Sequence, residues 1–160
     1  MPDTSSPRGK HFEEFTLGDV AISAGRTITE ADIVNFAGLS GDFTQLHTNV
    51  EAARQGPYGQ RVAHGLLGVA VASGLLAQLG YLEGTVLAFR ELVWKFSLPV
   101  FIGDTVHARS SVAELKPTPR LGGGLVTFDI EVTNQENRVV QSGKWVVLVS
   151  SREARNRVVS

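Results

Sequence analysis

The 160-residue chain contains no cysteine, which excludes disulfides, thiolate metal ligands and thiol nucleophiles. Its four histidines are scattered, and no H-E-x-x-H or C-x-x-C spacing occurs, so no metal centre is expected. Net charge is nearly absent: 15 Lys and Arg against 16 Asp and Glu leave −1, which is no electrostatic footprint for nucleic acid. A membrane-length apolar run is missing too. The stretch Leu66 to Leu79 is fourteen residues, and as a helix it spans about 21 Å against the roughly 30 Å hydrocarbon core of a bilayer. Met1 to Lys10 lacks the apolar h-region of a signal peptide, so the cytoplasm is the expected compartment.

What is present suffices for one packed domain, with 42% hydrophobic and 19% charged residues. Residues 1–10 read as a disordered polar tail, 11–151 as the domain and 152–160 as a short basic tail. Leu66 to Leu79 is apolar nearly all round, the signature of a buried central helix. Thr29 starts an earlier helix running to about Ala37, with Ile28 and Ile33 as its hydrophobic staple. Val20 to Arg26 reads as a short strand. Val86 to Leu98, Thr105 to Val112, Leu125 to Thr133 and Val139 to Val149 read as long ones, the third by strict alternation. Arg90 interrupts the apolar face of its strand, and His107 falls in phase with polar residues and reads as a surface histidine. Lys116 to Gly124, with two prolines and three consecutive glycines, reads as a hairpin loop. One buried helix followed by four long strands points to an α+β fold, an antiparallel sheet wrapped around a central helix.

The chemistry concentrates between Phe36 and Ala53, F-A-G-L-S-G-D-F-T-Q-L-H-T-N-V-E-A-A. Asp42 and His47 are five residues apart and converge only if the chain turns between them. Gly38, Ser40 and Gly41 supply that turn, and Thr48 with Glu51 has capping-box form, so a new helix is expected directly after His47. A carboxylate and an imidazole held together suit general acid-base work. On spacing alone a capping Asp42 and a satisfied, partly buried His47 are the favoured reading.

The run S-G-D-F-T-Q-L-H-x5-A resembles the signature of the MaoC-like (R)-specific enoyl-CoA hydratases, matching at Ser40, Gly41, Asp42, Leu46, His47 and Ala53. Thr44 and Gln45 stand where that family usually has Asn and Pro. Ala63 to Leu76, A-H-G-L-L-G-V-A-V-A-S-G-L-L, resembles the family's His-Gly helix start, and Lys95 to Val106 resembles its F-x-x-P-V-x-x-G-D segment. The resemblance implies a hotdog fold that dimerises into a continuous sheet. It also implies reversible hydration of a trans-2-enoyl thioester carried by coenzyme A or acyl carrier protein, with no dissociable cofactor.

In that reading Asp42 and His47 hold and activate water, the Gly65 N–H stabilises the enolate-like oxygen, and Ser73 orients the dyad or simply packs. Phe43, Leu46, Tyr58 and Leu67 are candidates for the substrate tunnel, Tyr58 equally for a loop aromatic over the core edge. His64 belongs to the motif as a structural residue. Arg54, Arg61, Lys95 and Arg120 are candidates for the phosphates of coenzyme A. A hotdog thioesterase would place its carboxylate elsewhere. A non-catalytic acyl-thioester-binding subunit stays open through Thr44-Gln45.

Overall fold

A computed structural model describes residues 8–153. The strict alternation of the third long strand decides which way the sheet faces. In β5 (Gly123–Thr133) Val126, Phe128, Ile130 and Val132 are all buried, while the residues between them are half-exposed. Besides the short 3-10 turns Phe12–Glu14 and Pro119–Leu121, the elements in chain order are β1 (Val20–Ile22), β2 (Arg26–Thr27), α1 (Glu30–Ser40), α2 (Gln45–Thr48), α3 (Val50–Arg54), α4 (Gly65–Ala77), β3 (Val86–Phe96), β4 (Thr105–Thr118), β5 and β6 (Val139–Ser150). The sheet is antiparallel with order β1-β4-β5-β6-β3, and β2 pairs with β4.

Its concave side packs on Leu67, Val71, Ala72, Leu75 and Leu76 of α4. This is the expected hotdog arrangement. Strand β6, apolar on both faces at its end, lies inside the sheet between β5 and β3, so both its edges are hydrogen-bonded. No helix among the described residues is long and apolar enough to cross a membrane.

Helix α1 forms where Thr29 caps it and Asp32 completes the capping box, with Ile28 and Ile33 both buried. It runs three residues past the expected Ala37 because only Gly41, at φ 75°, turns the chain out of the helix. The expected strand from Val20 to Arg26 is two short ones. Between them Ser23 accepts the Ala108 N–H with its hydroxyl, so a side chain interrupts the ladder.

The expected loop from Lys116 to Gly124 is mostly strand. Pro117 pairs with Gly124 and Thr118 with Gly123, which leaves only the turn Pro119–Leu121 and Gly122. The glycines are there for space: a Cβ on Gly123 would sit 1.8 Å from the Val149 carbonyl oxygen. His107 is half-buried on β4 instead of lying open on the surface.

Three further expectations are corrected. Residues 8–10 are not a loose tail, since Gly9 and Lys10 donate to the carbonyls of Gly80 and Tyr81, and Lys10 pairs with Asp19; 1–7 and 154–160 lie outside the described residues. Register shifts in β3 leave Leu87 and Arg90 unpaired, so Val86, Leu92, Trp94 and Phe96 keep a common face as simple alternation predicts, while Phe89 replaces Ala88 on it. Helix α4 is not covered all round in the single chain. Leu66, Ala70, Ser73 and Ala77 are exposed, at helical spacing, beside the exposed apolar edge strand β3.

Candidate active site

The site begins where α1 stops. Gly41 donates its N–H to Ala37 O, and the Ser40 hydroxyl donates to Phe36 O while accepting the Asp42 N–H. The next turn is built on the Asp42 carboxylate, which accepts the Thr44 N–H at 3.1 Å and the Thr44 hydroxyl at 2.6 Å. Thr44 thus holds Asp42, and Gln45 opens α2 at the first helical position, where proline also fits.

His47 rides on α2, a single helical turn that no local pattern in the sequence announces. The expected cap at Thr48 is displaced to Asn49, whose side chain accepts the Ala52 N–H. The reason is that the Thr48 hydroxyl donates backwards to Phe43 O and Thr44 O, closing the turn that carries His47.

This segment is fastened to residues 62–64. Val62 donates its N–H to Leu46 O, and Val62 O accepts from His47 Nδ1 at 2.7 Å. A carbonyl only accepts, so Nδ1 carries a proton and Nε2 is the nitrogen left for chemistry. His64, 2% exposed, does likewise with its other nitrogen: Nε2 donates to Asp42 O at 2.9 Å. The two imidazoles stack at 3.9 Å with 28° between planes, and Phe36 covers His64 at 4.9 Å. His64 therefore positions both the Asp42 turn and the His47 ring.

Asp42, His47 and His64 can offer atoms within 4.8 Å of one another. Stacked rings hold their remaining lone pairs in nearly parallel planes, whereas tetrahedral chelation needs them to converge. The arrangement suits proton transfer through a shared water better than a metal. Asp42 is exposed, and its pKa is lowered chiefly by the Thr44 hydroxyl, then by the Thr44 N–H. Coulombic attraction from His64 and His47 acts in the same direction. The carboxylate is thus held ionised below the usual carboxylate range, and a function that needs it ionised is lost only as pH falls through that lowered value. In Thr44→Val the largest cause disappears, so the acid limb of a pH–rate profile attributable to Asp42 moves to higher pH. A kcat/KM profile below pH 6 checks this.

His47 also opens onto a cleft of about 230 Å³, together with Leu46, Tyr58, Gly65, Phe96 and Gln141. Gly65 is the first residue of α4, and the N-cap His64 makes no side-chain cap bond. Gly65 lines the cleft, and the first-turn N–H groups of this thirteen-residue helix lie at the positive end of its dipole without a side-chain cap. The single chain brings Asp42, His47 and Gly65 together, with Leu46 and Tyr58 beside them.

Other expected residues are placed elsewhere. Ser73 is exposed and lines a separate apolar cavity of about 380 Å³ with Phe89 and Trp145. Leu67 faces the core, because its side of α4 is the one under the sheet, and Phe43 is 63% exposed outside the cleft. Arg54 is ion-paired with Glu51 and Arg61 with Glu30. Lys95 and Arg120 line other cavities. Gln141 was missed, although a signal existed: it shares the phase of the buried Trp145, Val147 and Val149, and a polar residue on that face needs a partner.

The MaoC like domain family matches residues 15–135, most of the chain. An (R)-specific enoyl-CoA hydratase of Rhodospirillum rubrum is 36% identical over 142 residues, covering 89% of this chain and 93% of that protein. Protein MaoC of Klebsiella aerogenes is 39% identical over 107 residues, and the match spans only 32% of its length. Among solved structures, a MaoC-like dehydratase from Rhodospirillum rubrum superposes with a TM-score of 0.79 at 28% identity, covering 90% of this chain and 99% of that one.

Proposed function

Since this chain belongs to the MaoC like domain family, we propose that it is a hydratase/dehydratase of acyl thioesters, adding water to a trans-2-enoyl thioester to give the (R)-3-hydroxyacyl product, or the reverse. The observation that carries the reading is that His47 stands both beside the ionised Asp42 and, with Gly65 at the start of α4, on one cleft. Water sits between Asp42 and His47, which are near enough for one molecule to touch both. Asp42 accepts one water hydrogen and holds it. His47 Nε2 removes the other as the water oxygen bonds to the β-carbon, and the C=C electrons move onto the thioester oxygen.

The first-turn N–H groups of α4, led by Gly65, meet the charge that develops on that oxygen, where prepositioned donors act most strongly. The imidazolium then returns its proton to the α-carbon as the enolate collapses. Asp42 is a poor proton donor because Thr44 keeps it ionised, so one nitrogen moves the proton in both directions. A proton taken and returned on one face gives syn addition. The reaction needs no dissociable cofactor, and the thioester carrier is coenzyme A or an acyl carrier protein.

The working unit in this reading is a homodimer. Strand β3 is a sheet edge carrying Phe89, Val93 and Phe96, each at least half exposed, and it borders the open face of α4. A second copy added across β3 continues the sheet and covers that face. The test is loss of the enoyl-thioester absorbance with purified protein and crotonyl-CoA, with chiral analysis of the product. Absence of turnover on crotonyl-CoA and on longer or branched enoyl thioesters, by folded protein, refutes the enzyme and leaves an acyl-thioester-binding subunit.

A further inference from the structure

The start of α4 is held by a device that the reaction above does not name. Gln141 lies at the beginning of β6, 4% exposed, opposite Phe96 in the β3–β6 ladder. Its amide bridges two elements: Nε2 donates to Gly65 O at 3.1 Å, and Oε1 accepts the Trp94 indole N–H at 3.1 Å. The orientation is unambiguous, because an indole N–H only donates and a carbonyl only accepts.

The surrounding residues are shaped to admit this amide. A Cβ on Gly68 would stand 2.4 Å from Gln141 Nε2, and one on Gly65 would stand 2.7 Å from the Phe96 ring. Glycines one turn apart on the helix thus let the two cross-strand partners reach its backbone. A peptide unit is planar and trans, so anchoring the Gly65 carbonyl also fixes the Leu66 N–H on the opposite side of the same plane. That N–H belongs to the open first turn.

We propose that Gln141, clamped by Trp94, is a positioning residue for the oxyanion site. It sets the direction in which the first-turn N–H groups of α4 meet the thioester oxygen. The role rests on the hydratase reading above. It is separate from the Asp42 and His47 chemistry, and acts through the backbone of Gly65 and Leu66.

Two variants separate polarisation from binding. Gln141→Met keeps the length and removes both polar ends; Trp94→Phe leaves the amide but frees its far end. With crotonyl-CoA, kcat falls about tenfold or more in Gln141→Met and by less in Trp94→Phe, while KM changes little, since loss of a whole oxyanion donor costs roughly 10²–10³. The second readout is the carbonyl stretch of bound, unreactive butyryl-CoA labelled with ¹³C at the thioester carbon. Wild-type protein lowers its frequency, and Gln141→Met returns it toward the solution value without loss of binding.

A Gln141→Met protein with wild-type kcat and an unmoved band overturns the proposal, as does a fall seen only in KM. If Gln141→Met fails to fold by circular dichroism, Trp94→Phe decides by the same two readouts. If wild-type protein neither turns over crotonyl-CoA nor shifts the butyryl band, the hydratase reading itself fails and this role with it. If it does both and Gln141→Met is unchanged, only the role of Gln141 fails.

Discussion

Asp42→Asn and His47→Gln each lower kcat for crotonyl-CoA hydration by at least about a hundredfold, the scale on which a positioned acid-base group contributes. The two losses have different origins. Asn at 42 retains an oxygen that can accept from Thr44 but loses the charge that holds water and balances the imidazolium. Gln at 47 has an amide in place of the ring, so Val62 O can still be met, but no nitrogen takes up a proton. Because the two groups serve one water, the double variant falls little further than the worse single one. KM for crotonyl-CoA changes little in either, since in the proposed reaction both groups act on the water and not on the carrier. Steady-state kinetics on the three variants, with circular dichroism to confirm folding, settles the point. Near-wild-type rates in either single variant remove the dyad from the mechanism.

Phe89→Asp produces a monomer. Phe89 is 50% exposed in the single chain, yet its ring packs edge-on against Trp145 at 5.5 Å and sits by the open face of α4. A carboxylate there costs little in an isolated chain, where water reaches it. In an interface it would be desolvated without a partner, a cost of several kcal/mol that a protein–protein contact rarely overcomes. Light scattering and sedimentation distinguish the outcomes. A wild-type protein that runs as a monomer removes the homodimer from the reading, and a Phe89→Asp protein that remains a dimer places the assembly on another surface.

Much of this fold is legible in the sequence, and the reason is local. The alternation of Val126, Phe128, Ile130 and Val132 specifies a strand with one buried face, and the capping box at Thr29 and Asp32 specifies where α1 begins. Both signals lie within a few residues of what they determine. Asp42 and His47 are likewise visible as a pair, because glycine and serine at 40–41 announce the turn between them.

The failures are long-range. Nothing near Lys116 announces that Gly123 must leave room for Val149 O, and nothing near Leu67 says which side of an all-apolar helix lies under the sheet. The cap at Thr48 failed for a subtler reason: its hydroxyl had two uses, and the carbonyls of Phe43 and Thr44 took it.

By itself the sequence determined an α+β domain, the turn that carries a carboxylate and an imidazole, and a helix beginning at a glycine. Tertiary structure alone decided that Val62 O orients His47, that His64 spans both members of the pair, that Gln141 reaches the first turn of α4, and that Ser73 faces away from them. The physical reason is that hydrogen-bond geometry at a site depends on which distant backbone groups arrive there. Arrival follows from the packing of sheet on helix, to which residues 15 to 76 positions apart contribute and which no short stretch encodes.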